Sequence, residues 1–119
     1  KELKQNLVHV LDEEKVYRRN DMNLDILSEL LETNRHNTSQ VINEHFNMNF
    51  FELMNKFRIE EAVRLIHGDS ENKLNIIDIA YEVGYNNKVT FNKAFKKIHE
   101  VTPSQYIKSL KTKKKTNEA

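Results

Sequence analysis

The chain has 119 residues, with 19 Lys plus Arg against 18 Asp plus Glu, for a formal net charge of +1. Two glycines, one proline and no cysteine exclude a disulfide framework, a thiolate metal site and a catalytic thiol, and glycines 16 residues apart (Gly68, Gly84) exclude a glycine-rich phosphate loop. No run alternates apolar and polar residues for long, which disfavours an all-β fold, and no apolar run reaches the roughly 18–20 residues of a membrane span.

The apolar spacing is helical almost throughout. Leu3, Leu7, Val10 and Leu11 predict a first helix that runs to about Glu14. Lys15 to Asn23 reads as a loop, with Val16, Tyr17 and Met22 available to dock on the core. Leu24, Leu27, Leu30 and Leu31 make a short second helix capped by Asn23. A third runs from about Arg35 to Phe46, capped by Asn34, with Thr38, Val41 and Ile42 inward and Asn47 in the left-handed conformation at its end.

Asn49 and Glu52 form a capping-box pattern that opens the longest helix, about Phe50 to His67. Phe50, Leu53, Met54, Phe57, Ala62, Leu65 and Ile66 line its buried side, and Gly68 is expected to end it. After a polar loop from Asp69 to Leu74, Asn75 opens a helix with Ile76, Ile79, Ala80 and Val83 inward, stopped by Gly84. Asn86 or Asn87 opens the next, about Lys88 to Ile98, with Phe91, Ala94, Phe95 and Ile98 inward. Thr102-Pro103-Ser104-Gln105 starts a last short helix carrying Tyr106, Ile107 and Leu110. Residues 111–119 are expected to form a disordered basic tail.

The small net charge conceals an uneven distribution: residues 1–33 carry −3, residues 34–70 carry −1 and residues 71–119 carry +5. The basic end suits a polyanion. The chain starts at Lys1 rather than Met, which predicts a piece of a longer protein.

Two segments resemble each other. Asn23-Leu24-Asp25-Ile26-Leu27-Ser28-Glu29-Leu30-Leu31 stands 52 residues before Asn75-Ile76-Ile77-Asp78-Ile79-Ala80-Tyr81-Glu82-Val83. After one extra residue, Thr38 and Ile42 match Phe91 and Phe95. Each copy is a short helix, a small inward residue (Ser28, Ala80), a tight turn and a second helix, the pattern of a helix-turn-helix.

The second copy resembles the AraC/XylS family of transcription regulators, in its DNA-binding domain. The motif is Ile76-Ile77-Asp78-Ile79-Ala80-Tyr81-Glu82-Val83-Gly84-Tyr85, then Phe91-Asn92-Lys93-Ala94-Phe95-Lys96-Lys97, then Val101-Thr102-Pro103-Ser104-Gln105-Tyr106. The first unit matches through Leu24 to Ile42 and Phe50 to Ile66, including Arg58-Ile59-Glu60-Glu61-Ala62. The resemblance covers about Tyr17 to Ile107. Four residues depart from the family pattern. Glu32 stands where Gly is common, Thr38 replaces a usual Leu, Lys93 a common Arg, and Glu100 the Gly before Thr-Pro. Glu32 and Glu100 ask a non-glycine residue to take a turn, and Thr38 is expected to loosen the first unit.

The resemblance implies an all-α fold of about seven helices: two helix-turn-helix subdomains joined by a long linker helix. The expected domain is 1–110, with a first unit over 1–48, the linker over 49–68 and a second unit over 69–110. It implies that Arg35–Phe46 and Lys88–Ile98 are recognition helices held on one face, entering successive major grooves of double-stranded DNA to regulate transcription. The side chains opposite the apolar stripes are the candidate base contacts: His36, Asn37, Ser39, Gln40 and Asn43, then Lys88, Val89, Thr90, Asn92 and Lys93. Asn and Gln pair with adenine, Lys donates to guanine, and Val or a Thr methyl packs on thymine. Asn34, Arg35, Asn86, Asn87, Lys96 and Lys97 are the candidate phosphate contacts. Glu44 is expected to face away from phosphate.

No catalytic role, metal or cofactor is expected. His9, His36, His45, His67 and His99 form no H-E-x-x-H spacing, and no serine sits in a G-x-S-x-G elbow. Glu13–Glu14 and Glu60–Glu61 read as solvated faces rather than acid/base pairs, and Phe50, Phe51 and Phe57 as core. The alternative function is a helical protein–protein interaction module. The polar outer faces of the two recognition helices argue against it. Expected partners in the full-length protein are an upstream sensor or dimerisation region and RNA polymerase. The expected location is cytoplasmic, on the nucleoid. This segment should make no membrane contact, and any anchor would lie in a missing N-terminal part.

Overall fold

Four asparagines set where the short helices begin. The computed structural model describes residues 2–71 and 73–118. It contains α1 (Glu2–Asp12), α2 (Leu24–Leu30), α3 (Arg35–Phe46), α4 (Phe50–Gly68), α5 (Ile76–Glu82), α6 (Lys88–His99) and α7 (Pro103–Glu118), and no strand among the described residues. The side-chain oxygens of Asn23, Asn34, Asn75 and Asn87 accept the backbone N–H of Ile26, Asn37, Asp78 and Thr90 at 2.8, 2.8, 2.9 and 2.8 Å. Each bond satisfies a first-turn N–H that the helix itself leaves without an acceptor. Of the two asparagines predicted to open α6, Asn87 is the cap.

Two more starts use reciprocal boxes. The Asn49 N–H donates to Glu52 Oε1 (2.9 Å) while the Glu52 N–H donates to Asn49 Oδ1 (2.8 Å). Thr102 and Gln105 exchange the same pair of bonds at the head of α7.

The chain divides within α4 into two compact units, Lys1–Arg58 and Ile59–Ala119. The first packs Leu7, Leu11, Leu27, Ile42 and Leu53 into a fully covered core, with Val16, Tyr17 and Met22 docked on it. Arg58 ties down the connection after α1: its Nε donates to the Tyr17 carbonyl (2.7 Å) and its Nη2 to the Arg19 carbonyl (3.1 Å). The second unit buries Ile59, Ile79, Val83, Phe91 and Phe95.

The internal repeat extends further in the structure than in the sequence. In each unit the chain leaves the first short helix by the same bonds. Thr33 N–H reaches back to the Ser28 carbonyl and Tyr85 N–H to the Ala80 carbonyl, both at 2.9 Å. The residue before each donor has positive φ: 57° at Glu32 and 113° at Gly84. Helices α3 and α6 end alike too, on Asn47 (φ 57°) and Glu100 (φ 66°), whose N–H groups donate to the carbonyls of Asn43 and Lys96. The boxes at Asn49 and Thr102 follow at the same spacing. Thus α7 is the counterpart of α4.

Several expectations are corrected. Thr38 does not loosen its unit. It is fully buried, and its hydroxyl meets Ser28 Oγ at 2.8 Å and the Asn34 carbonyl at 2.9 Å, while Ser28 Oγ donates to the Leu24 carbonyl at 2.7 Å. These contacts spare both hydroxyls the roughly 1–3 kcal/mol of an unsatisfied buried polar group. Helix α4 does end at Gly68, as expected, without a positive φ there. Glu61 is 4% exposed and pairs with Arg64 instead of lining a solvated face, because α4 is covered around more than one stripe beyond Arg58. Phe51 is 74% exposed and Ile98 46% exposed, so neither is core.

The first helix stops at Asp12, and a 3-10 turn, Val16–Arg18, occupies part of the predicted loop. Helix α7 runs to Glu118 where disorder was expected from Lys111. The lysine-rich segment holds no helix breaker, and lysines near a helix C-terminus suit the macrodipole. Ala119 lies outside the described residues.

The left-handed non-glycine turns yield a prediction. Glu100→Gly should raise stability in urea unfolding by about 0.5–1 kcal/mol, since it removes the Cβ clash but adds freedom to the unfolded chain. Gly84→Ala should lower it by more than about 1 kcal/mol.

Candidate nucleic-acid interface

The face of α3 opposite its buried Thr38, Val41 and Ile42 carries His36, Gln40 and Asn43, with Ser39 and Asn37 on its flanks. All five are exposed. Two are already engaged: Asn37 Nδ2 donates to Thr33 Oγ1 (3.0 Å), and Gln40 Nε2 donates to Glu44 Oε1 (3.0 Å). Asn34 is exposed with its oxygen spent on the cap, which leaves its amide N–H groups free of that role. Arg35 reaches back to Asp25 of α2 (Nε to Oδ1, 3.3 Å) as a surface pair, which holds it weakly.

The equivalent face of α6 is Val89, Lys93 and Lys96, with Lys88, Thr90 and Lys97 beside it, all exposed. Val89, at 62% exposure, is an apolar side chain on an otherwise polar surface. Asn92 differs from its neighbours. It is half-buried, and its Oδ1 is buried without a hydrogen-bond partner, so the oxygen half of its amide is not presented outward. Asn86 is exposed beside the Asn87 cap.

The two faces therefore differ in charge. At the repeat spacing of 53 residues, Gln40, Asn43 and Glu44 of α3 correspond to Lys93, Lys96 and Lys97 of α6. The N-termini of both helices present first-turn N–H groups, which favour anions. The place of Lys4 and the Gln40–Glu44 bond both escaped the sequence reading. Lys4 of α1 lines a surface groove with Asn37, Gln40 and Glu44; a lone lysine gives no signal for that. Glu44 bonds to Gln40, and here the four-residue spacing was the available signal.

No group of three or more His, Asp or Glu is placed to hold a metal ion among the described residues, and no described helix is long and apolar enough to cross a membrane.

A helix-turn-helix domain family model matches residues 27–109, most of the chain and both units. The chain belongs to the AraC-type helix-turn-helix family of transcription regulators. Among the described residues it is helical with no strand, as AraC-type double helix-turn-helix DNA-binding domains are. A helix-turn-helix-type transcriptional regulator of Haemophilus influenzae is 32% identical over 92 residues, 77% of this chain but 30% of that protein. The C-terminal domain of AraT, a response regulator from Geobacillus stearothermophilus, superposes with a TM-score of 0.76 at 28% identity, over 91% of this chain and 84% of that one. The DNA-binding domain of AdpA, solved in complex with a target DNA, shares the fold with a TM-score of 0.79 at 12% identity, over 95% and 96% of the two chains.

For this AraC-type domain the Asn87 cap bond gives a way to test the expected phosphate contact apart from folding. Asn87→Ala should cost about 1 kcal/mol of stability through the lost cap. Asn87→Asp should keep stability, since Asp caps as well as Asn, yet weaken duplex binding about threefold to tenfold by placing a negative charge beside phosphate. Thermal melts and fluorescence-anisotropy titrations on the same variants check both.

Proposed function

We propose that the protein regulates transcription by sequence-specific binding to double-stranded DNA, with α3 and α6 each reading a major groove and the two contacts falling in successive grooves. The single observation that carries this is the paired exposure of polar, unlike faces on two helices built by one repeated helix-turn-helix. A major groove about 12 Å wide admits one such helix, and successive entries lie about 34 Å apart along the duplex.

The residues divide by chemistry. Gln40, Asn43, Asn37, Ser39 and His36 offer amide, hydroxyl and imidazole groups to base edges in the first contact. Lys88, Lys93 and Thr90 donate, and Val89 packs on a thymine methyl, in the second. Asn92 contributes through its amide nitrogen alone. Lys96, Lys97, Arg35 and the capped N-termini at Asn34, Asn86 and Asn87 hold phosphates. Few positive charges lie on α3, so the second unit supplies most of the electrostatic attraction and the first supplies mainly discrimination.

The regulated output is RNA polymerase activity at the bound promoter, in the cytoplasm, and catalysis has no part in it. An upstream sensor or dimerisation region in the full-length protein would control that output. The chain spans 30% of the Haemophilus regulator, and the AraT structure is the C-terminal domain of a response regulator.

The test is selection of bound duplexes from a random pool, followed by salt titration. Binding should weaken with salt, log K against log salt falling by about 0.9 per phosphate neutralised. Lys93→Ala should cost about 1–3 kcal/mol at the selected site and relax one base position. Binding that is absent, or independent of salt, would falsify the proposal.

A further inference from the structure

We propose that Glu44 is a specificity-determining residue: it holds the Gln40 side-chain amide in one orientation and so fixes which base edge Gln40 reads. The inference rests on the assignment of α3 as a base-reading helix. Gln40 Nε2 donates to Glu44 Oε1 at 3.0 Å, one helical turn further on, and both residues are exposed. An ionised carboxylate only accepts hydrogen bonds, so the amide nitrogen must be the atom turned toward Glu44. The Gln40 carbonyl oxygen is then turned away from it. One N–H and the oxygen remain to face outward in a fixed order, the donor–acceptor pair that the adenine N7 and N6 positions complement.

Without that anchor the terminal torsion of a glutamine is broad and two-fold. An exposed Gln40 would present either order, and base discrimination would drop. Asn37, on the same side of α3, is held by Thr33 in a similar way. Glu44 is also poorly suited to its place by local criteria. It lies in the last turn of α3, where the macrodipole disfavours an acid. Its counterpart in the second unit is Lys97, which suits both the dipole and a nearby phosphate. A carboxylate on this face lowers affinity for every duplex alike and leaves correct base contacts to supply a larger share of binding, a repulsive element that sharpens specificity.

The test uses the whole chain and its selected duplex, with every base pair of the site varied singly. Affinities are measured for wild type, Gln40→Ala, Glu44→Ala, Glu44→Gln and the double variant Gln40→Ala/Glu44→Ala, with circular dichroism melts as the folding control. At the base pair read by Gln40, Glu44→Ala should lower discrimination about fivefold. The double variant should discriminate as Gln40→Ala does, with no further loss. Glu44→Gln, whose amide can either accept from Gln40 or donate to it, no longer forces one orientation and should fall between wild type and Glu44→Ala. Both Glu44 substitutions should tighten binding to random duplex.

An unchanged base profile in Glu44→Ala overturns the proposal. So does a loss that persists undiminished in the Gln40→Ala background. A wild-type chain with no duplex preference overturns the DNA reading itself, and this inference with it. A sharp wild-type preference with an unmoved Glu44→Ala profile overturns only the role of Glu44.

Discussion

Everything that the two units present outward depends on a tight turn between two helices that cannot stand alone. Helices α2 and α5 have seven residues each, well below the roughly 12–15 needed for a helix to be even marginally stable in water. They persist because their inner faces are buried and because the turn that follows returns the chain at once onto the same core. The turn closes through one backbone bond, Thr33 to Ser28 or Tyr85 to Ala80, with a left-handed residue between. A small residue at the bonded carbonyl lets the second helix cross closely. One unit fills the crossing with Ser28 and Thr38, a hydrogen-bonded pair; the other uses Ala80 and the ring of Phe91. The same geometry is reached by polar satisfaction in one case and by apolar volume in the other.

That constraint leaves the outer faces of α3 and α6 free to differ. The first is neutral to acidic and rich in amides; the second is basic. A net charge of +1 is thus the sum of one net-acidic unit and one net-basic unit. Long-range attraction to phosphate and discrimination among bases are separate physical tasks, since phosphate contacts carry no sequence information of their own. Under the proposed function, two copies of one supersecondary unit let each surface serve one of them.

Much of this was legible in the residues. The caps at Asn23, Asn34, Asn75 and Asn87 and the boxes at Asn49 and Thr102 are bonds across three positions, so local spacing predicts them. The outward-facing candidates on α3 were legible from the 3.6-residue period, because only one stripe of that helix is covered. Failures fell where burial depends on a distant neighbour. Ile59, Glu61 and Tyr85 are buried because other elements close over them, and Ile98 and Phe51 are exposed because nothing does. The half-burial of Asn92 belongs to the same class: periodicity places it outward, yet its oxygen is covered.

The sequence by itself determined the number of helices, their starts and the existence of the repeat. Those properties follow from hydrogen bonds and apolar periods within a few residues of chain. Only the tertiary structure decided how far the repeat extends, that the Ser28–Thr38 pair is satisfied rather than strained, and which way the Gln40 amide is turned. Each of these depends on atoms brought together by folding. A hydroxyl or an amide acquires its energy and its orientation from the partner it meets, and the linear order of residues does not name that partner.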